Sequence, residues 1–289
     1  MKKVAIIGAT GMLGQPVTRC FIDAGHEVSI LARNEQKAKA LYGDEVRVIK
    51  GSLEDKTSLD RLLKDKHWLY LSLSVKQSSR EKDYQPEREG LTNALHAARE
   101  AGISRIGYLS SLVQRYQGMN GYDWWVFRMK EQAVSSIKQS GIPYSIFYPS
   151  TFMENFDKGQ YVMGNKILLA GRSLHKMYFI SGNDYGKQVV SAFERNLGNN
   201  EYVIQGPEGL TADEAAAVYA RHYTKKKLGL LRMPMAILDI MSSLAPKFNY
   251  GAKIIRALNE YPEKFEAGAT WEELGRPATT LENYARYAE

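Results

Sequence analysis

The chain has 289 residues, a length that suits one large α/β domain or one domain with a subdomain. Its single cysteine excludes a disulfide within the chain, as is typical of a reducing compartment, and we expect a cytoplasmic protein. The formal net charge of +7 admits a nucleic-acid partner, but the positive residues are scattered. We therefore expect no nucleic-acid partner and attribute the charge to binding of an anionic cofactor.

The first predicted element is a buried strand at residues 3–7, which runs directly into a glycine-rich turn. Three glycines follow in a G-x-x-G-x-x-G spacing over residues 8–14, and residues 14–24 are predicted to form a helix. A helix N-terminus carries free N–H groups and a partial positive charge, so this arrangement favours a bound pyrophosphate. The alternative is a glycine-rich turn that binds nothing. The residues of the turn that we assign to a dinucleotide are Gly8, Thr10, Gly11, Met12 and Leu13.

The end of the second predicted strand, residues 26–31, selects between the two nicotinamide dinucleotides. An acidic residue there would bond the adenosine ribose, whereas this chain has Arg33, whose planar guanidinium suits a 2′-phosphate. Lys37 lies about one helical turn further on and adds positive charge. We therefore predict NADP (as NADPH) in preference to NAD. The alternative is that Arg33 caps a surface loop.

The next predicted strands end in small or polar residues. These strands cover residues 46–50, 68–72, 105–109 and 144–148, with helices predicted at 34–41, 58–64, 87–101 and 123–140. Ligands of parallel sheets bind at the carboxyl ends of the strands. Serines at strand ends are also common turn formers, and Ser52 and Asp55 could instead only start a helix. The residues placed at the dinucleotide are Ser52 and Leu53 at the adenine, Leu73 and Ser74 at the riboses, and Ser110 near the nicotinamide.

The second half of the chain has a different pattern. Residues 149–170 are predicted to be an irregular insertion, and a helix at 184–196 and a strand at 202–205 to return to the sheet edge. Residues 228–246 are the most apolar segment, but three residues interrupt it, so we expect a buried or amphipathic helix and no membrane span. The last predicted helices cover residues 211–223, 234–244, 251–259 and 279–287.

Alternation of strands and helices predicts an α/β fold with a Rossmann-type, doubly wound parallel sheet. We assign residues 1–150 to this NAD(P)-binding domain, with residues 180–206 returning to it. Residues 151–179 and 207–289 are predicted to form a smaller, mostly helical substrate subdomain that closes over the cleft.

Several motifs resemble atypical short-chain dehydrogenases/reductases of the NmrA-like group, which includes isoflavone-reductase-like and quinone-reductase-like proteins. They are GATGMLG at residues 8–14, GSLEDKTSL at 51–59, SGIPYSIFYPSTFMEN at 140–155, NDYG at 183–186 and GPEGLT at 206–211. Ser52 stands where many members have aspartate, and Tyr148 where arginine is frequent. The similarity covers nearly the whole chain and loosens after about residue 230.

The resemblance implies positions for the nicotinamide and its ribose. It places the turn of Tyr148, Pro149 and Ser150 beside the nicotinamide, and it matches Lys130 to the lysine that binds the nicotinamide ribose in short-chain dehydrogenases. The tyrosine that usually donates the proton, four residues earlier, is replaced by Val126. Lys130 therefore either donates a proton, directly or through water, or only holds the ribose.

These observations predict an NADPH-dependent oxidoreductase that transfers a hydride to a small apolar or quinone-like carbonyl substrate. Lys130 and Ser110 are the candidate catalytic residues. Aromatic residues before Lys130 and after the sixth strand would line an apolar pocket or, alternatively, pack in the core. A second hypothesis is a non-catalytic redox sensor that binds NADP and regulates a protein partner. The five histidines are dispersed, so we expect no metal site.

Overall fold

The computed structural model describes residues 1–159, 161–195 and 198–288. Its strands are β1 (Lys3–Ile7), β2 (Glu27–Ala32), β3 (Val46–Lys50), β4 (Trp68–Leu71), β5 (Arg105–Leu109), β6 (Tyr144–Pro149), β7 (Val162–Met163), β8 (Lys166–Ala170), β9 (Met177–Tyr178), β10 (Asn200–Ile204), β11 (Gly209–Leu210) and β12 (Gly229–Met233). Its α-helices are α1 (Gly14–Asp23), α2 (Glu35–Tyr42), α3 (Lys56–Leu63), α4 (Leu91–Glu100), α5 (Trp125–Gln139), α6 (Gly182–Arg195), α7 (Ala212–His222), α8 (Met235–Ser242), α9 (Pro246–Glu260), α10 (Gly268–Leu274) and α11 (Leu281–Tyr287).

A parallel sheet of seven strands forms the centre of the molecule, in the order β10-β6-β5-β4-β1-β2-β3. The order reverses between β1 and β4, which lie side by side with Ile7 opposite Leu71. In doubly wound sheets the ligand binds outside the carboxyl ends of the strands at such a reversal. The predicted Rossmann-type fold is confirmed, and the carboxyl ends of β1 and β4 indicate where its ligand would bind.

Helices cover both faces of the sheet. Helices α1, α2 and α6 pack on one face, and α3, α4 and α5 pack on the other. Close packing of α1 on α6 depends on Gly186, where a Cβ would lie 2.7 Å from the sulfur of Cys20. Within β5, Gly107 makes room for the ring of Phe193, which a Cβ would approach to 2.4 Å. Both helix layers are held on the sheet by burial of apolar side chains, because the strands are apolar on both faces.

The predicted elements of residues 3–148 are confirmed, with one difference. Residues 86–90, which the pattern assigned mostly to a helix over 87–101, form a π-helical turn (Pro86–Gly90) that precedes α4. The predicted helix at 184–196 corresponds to α6, although residue 196 lies outside the described residues. The predicted strand at 202–205 is β10, which pairs with β6 at the sheet edge.

The C-terminal part contains strands that the sequence pattern did not predict. Residues 149–170, predicted to be irregular, contain β7 and β8, and β12 pairs in parallel with β8 to give the sheet β12-β8-β7. A helix over 228–246 was therefore the wrong prediction for residues 229–233. The apolar run there finds a backbone partner in β8, and Pro234 separates it from α8. Helix α9 begins five residues before its predicted start, and α10 was not predicted.

The boundaries of the proposed substrate subdomain remain a prediction. Its helices α7 and α11 pack together with strand β8 around a separate apolar cluster. Among the described residues, no helix has both the length and the apolar character needed to cross a membrane.

Candidate functional site

The glycine-rich turn packs tightly against the end of β4. Gly8 follows β1 directly with a φ of +91°, and a Cβ there would lie 2.1 Å from the carbonyl oxygen of Ser72. At Gly14 a Cβ would lie 2.1 Å from the carbonyl oxygen of Gly8. The Gly11 N–H donates to that same oxygen at 3.0 Å, which closes the turn. The first and last glycines are therefore sterically required, and the turn is fixed at the strand-order reversal.

Helix α1 presents an N-terminus suited to an anion. Within the described residues no side chain caps it at Leu13, and its first turn contains no acidic residue. The partial positive charge of the helix is therefore not neutralised locally. A pyrophosphate fits both the required glycines and this uncapped terminus.

A cavity of about 540 Å³ opens beside the turn. It extends along the ends of β4, β5 and β6 and is closed on the opposite side by α9 and the segment that follows it. Nine of the residues predicted for the site line this cleft. They are Gly11, Met12, Leu13, Leu73, Ser74, Ser110, Lys130, Pro149 and Ser150.

The other predicted residues lie outside the lining of this cavity. Arg33 and Lys37 are exposed beyond the end of β2, on the same edge of the sheet as the glycine turn. Ser52 accepts the Glu54 N–H at 3.3 Å through its hydroxyl, whereas Asp55 is the residue that precedes the first turn of α3. The predicted residues outside the lining are Gly8, Thr10, Arg33, Lys37, Ser52, Leu53 and Tyr148.

The Tyr148 side chain is not among those that line the cleft. That the turn of Tyr148, Pro149 and Ser150 lies beside the nicotinamide stays a prediction. The Tyr148 hydroxyl donates to Glu201 of the edge strand β10 at 2.7 Å, and Arg115 lies over its ring at 5.7 Å. Neighbouring side chains of β6 face opposite sides of the sheet, and the tyrosine is on the side of α5. Burial raises the pKa of Tyr148 above its ordinary value.

Lys130 forms a buried ion pair that the sequence did not predict. Its Nζ lies 2.6 Å from Oε1 of Glu87, a residue of the π-helical turn, and the Tyr108 hydroxyl donates to the same oxygen at 2.8 Å. The Glu87 side chain is fully buried and that of Lys130 is 16% exposed. In the described parts of the chain, Oε2 of Glu87 has no hydrogen-bond partner. An acidic residue in a first helical turn is common, so the sequence carried no specific sign of this role.

Two residues near Lys130 bear on the question of its proton donor, Val126 of α5 and Tyr122 before it. Val126 is buried in the core, and the Tyr122 hydroxyl donates to the backbone carbonyl of Lys253 at 2.9 Å. Tyr250, from α9, lines the cleft instead, with its ring 5.0 Å from that of Trp124. Burial and the nearby negative charge of Glu87 raise the pKa of Tyr250 to about 12.

A second carboxylate lies at the β6 end of the cleft. Glu263 accepts a hydrogen bond from the Ser150 hydroxyl at 2.9 Å and another from the Gln205 side chain at 2.7 Å. Burial raises the pKa of Glu263. Ser110, the other candidate catalytic residue, is buried and donates to the side chain of Gln114 at 3.0 Å.

The aromatic residues expected to form a pocket are divided between two places. Phe152 and Tyr161 line the cleft, whereas Trp124 and Phe127 pack in the core, as the alternative interpretation required. Among the residues that the structure describes, no group of three or more histidine, cysteine or acidic side chains could hold a metal ion.

A parallel sheet whose strand order reverses at a glycine-rich strand–helix turn defines the class of Rossmann-type dinucleotide-binding proteins. The model of the NmrA-like family matches residues 1–285, so the chain belongs to the NmrA-like family.

Known proteins related to the chain include reductases and an assembly factor. The photosystem II assembly factor Ycf39 of Synechocystis sp. is 24% identical, over 98% of this chain and 89% of its own length. The (4-alkanoyl-5-oxo-2,5-dihydrofuran-3-yl)methyl phosphate reductase of Streptomyces griseus is 25% identical, over 99% of this chain and 98% of its own. The solved structure of the Escherichia coli NADPH-dependent quinone oxidoreductase QOR2 with NADPH shares the fold, with a TM-score of 0.73 and 19% identity over 98% of each chain.

Proposed function

We propose that the protein is an NADPH-dependent oxidoreductase that reduces a small apolar or quinone-like carbonyl substrate. The observation that carries the proposal is the cleft itself, which joins a sterically required glycine turn and an uncapped helix N-terminus to the Lys130–Glu87 pair. The names of the S. griseus and E. coli proteins, both reductases, support the same reaction class.

In this proposal the residues divide by the part of the dinucleotide they hold. Gly8, Thr10, Gly11, Met12 and Leu13 enclose the pyrophosphate, and Arg33 and Lys37 bind the 2′-phosphate. Ser52 and Leu53 bind the adenine, Leu73 and Ser74 the riboses, and Pro149 and Ser150 the nicotinamide, with only the backbone of Tyr148 contributing. When bound, NADPH supplies the hydride.

Lys130 is placed to hold the nicotinamide ribose or to donate a proton to the substrate oxygen. An ammonium has three N–H donors, and one of them is directed to Glu87 at 2.6 Å. The other two remain for a ribose hydroxyl or the developing oxyanion, which a positive charge stabilises. Ser110 would orient the same oxygen once its hydroxyl turns from Gln114 towards the substrate.

The test is NADPH oxidation with a panel of quinones and simple carbonyl compounds. We expect saturable oxidation with at least one quinone, and a Lys130→Met variant that loses kcat while it retains most of its NADPH affinity if the lysine donates the proton. Comparable losses in kcat and NADPH affinity would instead assign Lys130 to the ribose. Tight NADPH binding without oxidation by any acceptor would contradict the proposal.

A sensor function is the second candidate, and Val126 at the position of the missing proton donor favours it. The name of the Synechocystis relative, an assembly factor, also fits a protein that acts on other proteins. The sensor hypothesis expects NADP to change the recovery of a partner in affinity purification, and Lys130→Ala to leave that change intact. Equal recovery with and without NADP would contradict it.

A further inference from the structure

A second cavity lies next to the cleft, in the C-terminal part of the molecule. It has a volume of about 300 Å³ and is enclosed by β8, the end of β12, and helices α8 and α9. We call it the apolar chamber, because aliphatic side chains provide most of its surface. Five of those that line the chamber and not the cleft are Leu168, Leu169, Met233, Leu238 and Met241.

The apolar chamber adjoins the cleft. Both cavities are bordered by the same six residues, which come mainly from α9. They are Gln77, Tyr161, Tyr250, Ile254, Ile255 and Leu258. The Tyr250 ring also packs against Trp124, the residue that precedes α5, at 5.0 Å. Lys130 of α5 lines the cleft, so the substrate would react in the cavity that adjoins the chamber.

Several polar and aromatic groups around the chamber have partners within the protein. Arg232 is paired with Asp213. Phe156 stacks on Tyr219 with ring centroids 4.7 Å apart and meets the edge of Tyr161 at 5.4 Å. These partners hold the named groups in place, and most of the surface that the chamber offers to a ligand is apolar. Methionines add adaptability, since their unbranched side chains fit irregular apolar ligands.

We propose that the apolar chamber binds an unbranched alkyl tail of the substrate. The substrate class is then an amphiphile with a carbonyl or quinone head, which reacts in the cleft, and a saturated tail, which occupies the chamber. This inference rests on the proposed reductase function and specifies its substrate. Phe248 of α9 lines the chamber and is 39% exposed, so a tail longer than the chamber would reach solvent beside this residue.

The test measures reduction of 1,4-benzoquinones that carry methyl, butyl, hexyl or decyl chains, with NADPH and the full chain. Burial of each methylene is expected to raise kcat/KM about fourfold until the chamber is filled. A kcat/KM that does not depend on chain length would overturn the inference while leaving the reductase function in place.

Binding of the same quinones to the NADP-loaded protein, followed by intrinsic fluorescence, separates the two proposals. Affinity that rises with chain length supports the chamber even if no quinone is reduced, a result that would overturn only the reductase function. Affinity independent of chain length would overturn the chamber.

Two neighbouring residues of α8 provide a matched pair of variants. Met241 is half-buried and lines the chamber, whereas Ile240 is 69% exposed and does not. Met241→Trp is expected to abolish the increase of kcat/KM with chain length, and Ile240→Trp to retain it. Met241→Trp alone is not sufficient, because a tryptophan there can also disturb folding. Met241→Ala makes the opposite change: it enlarges the chamber, so the chain length that gives the highest kcat/KM should become longer. An unchanged optimum in Met241→Ala, together with a retained increase in folded Met241→Trp, would refute the proposal.

Discussion

Removal of Lys130 tests the buried ion pair beside the cleft. In Lys130→Met, the fully buried carboxylate of Glu87 keeps the Tyr108 hydroxyl as a donor but loses its positive partner at 2.6 Å. Breaking a buried pair by removing one partner costs about 3–5 kcal/mol, because the remaining charge is left uncompensated. We expect the free energy of unfolding of Lys130→Met to fall by about that amount. Water that enters at the position of the lost ammonium would solvate Glu87 and reduce the loss.

A double-mutant cycle is completed with Glu87→Gln, made both in the native protein and in Lys130→Met. The amide keeps an acceptor for Tyr108 and removes the buried charge, so Lys130→Met/Glu87→Gln should recover most of the lost stability. Urea unfolding, followed by circular dichroism, measures all four proteins at one pH. A double variant no more stable than Lys130→Met would refute the claim that the charge of Glu87 causes the loss.

The chain offers a matched control on the same helix. Lys138 of α5 pairs with Glu201 at 2.7 Å, but both side chains are more than a third exposed. Water screens this pair, so Lys138→Met should cost only about 0–1 kcal/mol. A cost as large as that of Lys130→Met would show that burial is not the cause of the difference.

Three further predictions follow from other parts of the structure. Arg33→Ala should weaken NADPH binding about tenfold or more and leave NADH binding unchanged, because a charge-assisted hydrogen bond contributes roughly 1.5–3 kcal/mol. Both cofactors are titrated into each protein, and the exposed Arg47→Ala is the control. Equal affinities of the native protein for NADPH and NADH would contradict the NADP preference. Gly8→Ala should destabilise by more than about 2 kcal/mol and abolish NADPH binding, whereas Gly25→Ala, with a φ of +76° and free space for a Cβ, should cost only about 1 kcal/mol in thermal unfolding. Burial raises the pKa of Glu154 to about 7, so the folded state holds this proton more tightly than the unfolded state does. The contribution of Glu154 to the free energy of unfolding therefore decreases as pH rises from about 4.5 to about 7, by at most ~3 kcal/mol. Glu154→Gln should flatten that part of the stability–pH profile, and an identical slope in both proteins would refute the assignment.

The sequence by itself determined the central sheet. Apolar runs of strand length, separated by helical patterns, fix the order of elements, and three glycines at a fixed spacing fix the turn after β1. These are local properties, since each depends on residues within one strand, turn or helix. The same local information predicted six of the nine site residues that line the cleft, and the family resemblance predicted the other three, Lys130, Pro149 and Ser150.

Only the tertiary structure showed what surrounds those residues. Glu87 meets Lys130 across 43 positions of the chain, and Glu263 meets Ser150 across 113. Strand β12 pairs with β8 although its own residues suggested a helix. The Tyr148 hydroxyl likewise finds its acceptor on the neighbouring strand, at Glu201, across 53 positions. Contacts of this kind have no periodicity in the sequence, because they form only when burial brings distant segments together and each buried charge or backbone group must find a partner.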